Sequence, residues 1–408
     1  MLKKKRALNT DGLATLSASA LAAVAGLLLA LVILLVCDAK NAWPGFLTLV
    51  TGGIREGGIK AIGDILYQAM PIMMCGAGLA IAFKANVFNI GGGGQFLIGG
   101  FVAIYGAIKW EFLPGPLRWI VPLLAATLSG ALWALVPGLL KAYRNVNVII
   151  STIMMNYLAR YMVNTLIKAS IYNVTTGQSK AIPAAAVMPS IGLDKLFPGS
   201  SANIGIVITI AVCIAIHIIV NKTTFGYELR ACGLNEHACK YAGIKEKRTV
   251  IVSIMISGAL VALGGALLYL SGSGRNIRVF DTQPSEGFTG ISIAILANNS
   301  ALGVILSSIF IAFLTIGGQY IQSYGFVKDI VNIVTSAVIY LSAFSLLLRL
   351  LFETMARKRQ ARRSQGTAEK GGVKYWMYSI MLQTCASASL SPCWSLPSQA
   401  CIRKRAAF

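Results

Sequence analysis

The stretch Phe88-Asn89-Ile90-Gly91-Gly92-Gly93-Gly94-Gln95-Phe96-Leu97-Ile98-Gly99-Gly100-Phe101-Val102-Ala103-Ile104 decides how the rest of the chain is read. It lies within hydrophobic sequence, yet four consecutive glycines break it, with Asn89 and Gln95 on either side. Each glycine costs about 1 kcal/mol of helix propensity relative to alanine, so a helix that merely crosses lipid gains nothing from such a run. Backbone opened at membrane depth persists only where protein buries it or where it lines a wet cavity. Two readings stand side by side. Small residues let helices approach closely, which suits Gly99 and Gly100. Alternatively the run lines a pathway or binding site, with Phe88, Asn89, Gly91, Gly92, Gly93, Gly94 and Gln95 as its residues.

Composition places the stretch in a bilayer. Of 408 residues, 56% are hydrophobic and 12% are charged, against about 25% charged in soluble domains. A net charge of +22 would point to nucleic acid in a soluble protein. Here the basic residues cluster at the ends and in particular loops, which reads as membrane topology. The eight cysteines are scattered without a C-x-x-C and give no disulfide framework, and His217 and His237 are too far apart to suggest a metal site.

About 20 apolar residues span a bilayer as a helix. By that ruler spans fall near 13–36, 61–83, 89–108, 118–140, 147–168, 203–221, 250–271, 302–318 and 329–351, with a short apolar piece, 288–297, left over. The first run is longer than the roughly 7–15 residues of a signal core, so an uncleaved span is expected. Starting from a cytoplasmic Lys3-Arg6, the positive-inside rule puts Lys84, Lys141, Arg144, the loop 222–249 and Arg357-Lys358-Arg359 on one side if 288–299 also crosses. The expected fold is therefore all-α integral membrane. It has about ten segments in a 5+5 inverted repeat, and the third segment of each half is short or Gly-interrupted. Such a pair in corresponding positions points to a transporter's midplane site.

The loop 222–249 contains a capped surface helix: Asn235 is a plausible N-cap, Glu236 follows in the first turn, and Gly243 closes the end. No G-x-x-x-x-G-K-[ST] phosphate loop occurs, so the chain has no nucleotide motor of that kind. Intramembrane carboxylates are scarce, with Asp64 the main candidate and Asp329 the next, which weighs against an ion-coupled carrier. Ser151, Thr152 and Asn156 bring polar groups into another apolar span, as inter-helix contacts or as pathway lining. Asn298, Asn299 and Ser300 read as caps where the short helix meets the next span.

Four elements together resemble one family. Phe88-Asn89-Ile90-Gly91 with Gly94-Gln95 is similar to its "FNIG-x-x-GQ" signature. Ile150-Ser151-Thr152 through Asn156-Tyr157 is similar to "IST-x-x-x-NY". Phe225-Gly226 through Ile244 resembles its "FG-x-x-LRA-x-G-x-N-x-x-A-x-YAGI" loop, and Gly287-Phe288-Thr289-Gly290-Ile291 resembles "GF-x-GI". The family is the ribose-type ABC importer permeases, in the simple-sugar and nucleoside branch.

The resemblance implies a transport subunit that is not an enzyme and binds no cofactor, ATP and Mg being used by a partner. It implies a cytoplasmic ABC ATPase, a second permease subunit, identical or not, and a substrate-binding protein or lipoprotein. Asn235, Glu236, Tyr241, Ala242 and Gly243 would form the coupling helix that docks on the ATPase. Phe88, Asn89, Gln95, Asn156 and Phe288 would line the pathway. Where the branch commonly carries Glu, this chain has Gly93 or Gly94 and Val148. A stand-alone secondary transporter and a non-transporting scaffold are the competing classes. The permease domain is expected over 1–355, followed by a basic tail, 356–408, expected to be disordered or non-homologous.

Overall fold

The computed structural model describes residues 24–272, 276–279, 283–343 and 354. The expected tail 356–408 and the start of the first expected span therefore lie outside the described residues. Within them the chain is almost entirely helical, in the order α1 (Val24–Cys37), α2 (Ala42–Val50), α3 (Ile54–Lys84), α4 (Gly92–Lys109), α5 (Leu117–Arg144) and α6 (Val148–Ser170). A two-stranded hairpin follows, β1 (Tyr172–Asn173) and β2 (Gln178–Ser179), then α7 (Leu193–Leu196) and α8 (Gly205–Lys222). The remainder is α9 (Thr224–Leu234), α10 (Glu236–Tyr241), α11 (Glu246–Leu270), α12 (Ser285–Leu296), α13 (Ala301–Ile321) and α14 (Lys328–Ala343).

Five stretches are long and apolar enough to cross a membrane by length and composition: Ala42–Lys84, α5, α8, α11, and Ala301–Tyr324. α4 and α6 have the length, but glycines dilute the first and Asn156, Arg160, Asn164 and Lys168 the second. The sequence ruler did not anticipate α2, whose nine residues are too few for a span. Nor did it place the break at Gly58, where φ is 57° and ψ is −137°, so α3 is continuous only beyond that residue.

Helices gain no hydrophobic drive to associate inside lipid, so close packing through small residues has to hold them together. α11 shows how. A Cβ at Gly258 would come within 2.5 Å of the Gly130 carbonyl of α5, and one at Gly264 within 2.7 Å of the Pro71 carbonyl of α3. A Cβ at Gly265 would meet Gly100 N of α4 at 3.1 Å. The reciprocal contact comes from α12, where a Cβ at Gly290 would lie 2.6 Å from Cys75 Cβ of α3. Thus α3 packs on α12 and α13, while α11 packs on α4 and α5.

The outer faces are apolar as well. Leu124, Leu128, Leu132 and Val136 recur every fourth residue of α5 and are 44–62% exposed, a stripe for lipid to cover. A smaller cluster joins Leu34 of α1, Leu49 of α2, Leu314 and Ile321 of α13, and Val334 and Val338 of α14. The hairpin is pinned to the segment between α11 and α12: Ser179 N donates to the Ile277 carbonyl at 2.9 Å, and Ile277 N donates to Ser179 Oγ at 2.9 Å.

Candidate translocation site

The first N–H groups of a helix lack intrahelical acceptors and need partners from elsewhere. At α4 they find side-chain amides. Gly91 N donates to Asn89 Oδ1 at 2.8 Å, closing a tight turn, and Gly94 N donates to Asn156 Oδ1 of α6 at 2.8 Å. Asn156 Nδ2 returns a bond to the Ile90 carbonyl at 2.9 Å, and Ile90 N reaches Thr152 Oγ1 at 3.4 Å. Asn89 Nδ2 donates to Ser257 Oγ of α11 at 3.0 Å and to Gln95 Oε1 at 3.2 Å. Asn89, Gln95 and Asn156 are at most 3% exposed, so the three amides expected in the pathway are engaged with protein. Thr152 and Asn156 serve as contacts between elements.

The glycines divide in the same way. A Cβ at Gly92 would meet the Gly287 carbonyl at 2.9 Å, and one at Gly287 would meet Gly93 N at 2.5 Å and Gly92 C at 2.6 Å. The starts of α4 and α12 therefore touch backbone to backbone. Gly94 lies against Asn156 Cα, 2.9 Å from where its own Cβ would be, and Gly91 lies against Asn89 Oδ1 at the same distance. Gly93 differs, because its Cβ would face side chains: Gln283 Oε1 at 3.1 Å and the Phe288 ring at 3.4 Å. Phe288 is 41% exposed and Phe88 42%, the latter stacked on Phe83 with centroids 4.7 Å apart.

Glu286 and Gln283 were not among the residues expected at the site. Glu286 occupies the first turn of α12 and is half-buried, with Ser285 Oγ 3.4 Å from its carboxylate. An acid is favoured there by the helix dipole, and its place one residue before the Gly-Phe motif was the available signal. The helix has no side-chain cap at Pro284. A separate polar cavity of about 450 Å³ opens beside the start of α3, lined by Lys60, Asp64, Gln68, Ser201, Gln319 and Tyr320 among others. Asp64 accepts a hydrogen bond there from Ser201 N at 3.3 Å.

The expected surface helix is α10. Asn235 has extended backbone (φ −157°, ψ 110°) before it, and its carbonyl accepts Cys239 N at 3.0 Å. At the other end Gly243 has φ 76°; its N–H bonds the Lys240 carbonyl while Ile244 N bonds that of Cys239, the paired closure that requires a left-handed residue. Tyr241 is 94% exposed, and Ala242 and Gly243 are exposed too, whereas the Glu236 side chain lies outside the described residues. One expectation is corrected: Cys232 and Cys239, taken as scattered, have their sulfurs in bonding contact across α9 and α10, with Cα atoms 4.9 Å apart. The turn between the two short helices folds the chain back and brings them together. Among the described residues no group of three His, Cys, Asp or Glu could hold a metal ion.

Long apolar helices, glycine-mediated packing and two helix starts meeting inside the helical body define a multi-pass membrane protein of the permease class. The chain belongs to the family described as "Branched-chain amino acid transport system / permease component", whose model matches residues 61–343. It is 32% identical over 357 residues to the nucleoside ABC transporter permease NupB of Lactococcus lactis subsp. cremoris, covering 86% of this chain and 96% of the relative. It is 34% identical over 343 residues to the guanosine ABC transporter permease NupP of Bacillus subtilis, covering 83% and 96%. Against the glucose ABC transporter permease TsgB13 of Haloferax volcanii identity is 30% over 286 residues, covering 68% and 74%. The chain is thus a transporter permease, as its motifs led one to expect. No solved structure matches it.

Proposed function

We propose that the chain is the membrane subunit of an ATP-driven importer that carries nucleosides inward across the cytoplasmic membrane by alternating access. The observation that carries the reading is the match to two nucleoside permeases over 96% of their length. A sugar substrate is the related possibility, supported by the similarity to the glucose permease over 74% of its length.

Ten crossings then come from α1, α3, α4, α5 and α6 in one half and α8, α11, α12, α13 and α14 in the other, within a permease domain of residues 1–355. Reciprocal packing supports the inverted repeat: the second helix of each half, α3 or α11, packs on the third and fourth of the opposite half. Both termini are assigned to the cytoplasm, with Lys84, Lys141, Arg144 and the loop 222–249. α10 is the coupling helix for a partner ABC ATPase, which supplies ATP and Mg chemistry. A second permease and a substrate-binding protein complete the system.

The pathway is assigned to the side of the α4–α12 junction where Gly93 faces Gln283 and Phe288, with Phe88 and Glu286 as further candidates. Ring faces suit a nucleobase, and an amide with a carboxylate suits its N–H groups or ribose hydroxyls. Asn89, Gln95 and Asn156 shape this wall from behind. The cavity at Asp64 serves as an outer vestibule.

Reconstitution tests the proposal. Vesicles holding this chain with its ATPase, second permease and binding protein should accumulate guanosine only when ATP is supplied. Uptake by the chain alone, driven by an ion gradient, would make it a secondary transporter.

A further inference from the structure

A cavity of about 580 Å³ lies where the end of α5, the end of α10 and the start of α11 come together. Its size falls within the roughly 300–1,000 Å³ of small-ligand pockets. Lys240, Lys245, Lys247 and Arg248 stand on its rim, with Glu246 the one carboxylate among the lining residues. Ile244, Ile251 and Val252 make an apolar floor. Lys247 Nζ sits 5.2 Å from the centroid of the Tyr143 ring, a cation–π contact that holds the ammonium at the edge of the cavity.

The position along α11 decides what such a cavity suits. The helix begins Glu246-Lys247-Arg248 and turns apolar from Val250 onward, so the border between water and hydrocarbon crosses it at the cavity. The cations lie on the water side and Ile251 and Val252 on the hydrocarbon side. Lys141 and Arg144 in the last turn of α5 add positive charge nearby.

We propose that this cavity binds an anionic phospholipid, its phosphate held by Lys245, Lys247 and Arg248 and an acyl chain laid against Ile251 and Val252. Basic pockets between membrane helices take such headgroups. Inorganic phosphate shares the headgroup chemistry but leaves the apolar floor uncovered, which is why the lipid is the occupant. Lys240 of α10 lines the same cavity. The inference rests on the membrane placement of α11 and is independent of which substrate is carried.

The test titrates the purified full chain in detergent with phosphatidylglycerol and with phosphatidylcholine, reading bound lipid by native mass spectrometry. The variant K245Q/K247Q/R248Q should bind phosphatidylglycerol on the order of a hundred-fold more weakly, given the usual gain per basic residue near an anionic headgroup. The control K168Q/K180Q/K195Q, with the same loss of charge elsewhere, should bind as the unaltered chain does. Rising salt should weaken phosphatidylglycerol binding to the unaltered chain, which keeps the proposal testable if the triple variant fails to fold. Salt-independent binding, equal affinity for phosphatidylcholine, or undiminished affinity in the triple variant would overturn it. Complete displacement of the lipid by inorganic phosphate would make this a free-anion site. Loss of ATPase association with lipid binding intact would make it a protein-docking surface.

Discussion

The starts of α4 and α12 touch backbone to backbone, yet they are held in opposite ways. At α4 the freed N–H groups are met by Asn89 and Asn156, and the amides are themselves bonded to α11 and to the Ile90 carbonyl. At α12 no side chain caps the helix, Glu286 is half-buried in the first turn, and Phe288 is substantially exposed. The far end of α12 turns through Asn298 and Asn299, at φ 51° and 55°, and Asn299 Oδ1 is buried without a partner. Fully satisfied buried polar networks rigidify the structure around them. The contrast makes α4 the more fully braced of the two helix starts.

The largest effect should come from forcing the two apart. Gly287→Leu drives a side chain into the backbone of Gly92 and Gly93, which cannot yield as a side chain can. Folded protein recovered by size-exclusion chromatography should fall to a small fraction. Gly93→Ala should leave that yield nearly unchanged, because its Cβ meets the side chains of Gln283 and Phe288 at 3.1 and 3.4 Å. Equal yields from the two variants would remove the distinction.

Breaking the α4 cap comes next. Asn156→Ala strands the Gly94 N–H and the Ile90 carbonyl in a buried place, at about 1–3 kcal/mol for each group left unsatisfied. A thermal-unfolding scan in detergent should show a clear fall in midpoint. Glu286→Gln should lower that midpoint much less, since only the helix-dipole contribution of the half-buried carboxylate is lost, while raising the KM for nucleoside uptake several-fold. The mildest change is Ser300→Ala at the start of α13. The Gly303 N–H lies 3.5 Å from its hydroxyl, so the loss should sit near the low end for caps, about 0.5 kcal/mol.

Much of this contrast was legible in the chain itself. Hydrophobic length marked α3, α5, α8, α11 and α13 because apolar runs of that size have few other uses. Asn235 and Gly243 framed α10 because capping preferences are local. The role of the amides was not legible: Asn156 lies 62 residues from the Gly94 N–H it caps, and no local pattern encodes that meeting. The packing partners of the glycines were not legible for the same reason. A run of four reads as open backbone until Gly287 and Asn156 are seen filling the space beside it. The apolar run alone begins at 288, whereas the helix begins at 285 and takes Glu286 into its first turn. Cys232 and Cys239 were paired by the fold of a turn and not by spacing.

The central claim is that substrate passes along the exposed side of the α4–α12 junction. Its most direct test is Phe288→Cys in the assembled transporter, labelled with a membrane-impermeant thiol reagent and compared with the unaltered chain. The cysteine should be labelled from water, and labelling should slow when guanosine is present with ATP and the binding protein. Labelling only by a lipid-soluble reagent, or at a rate indifferent to substrate, would contradict it.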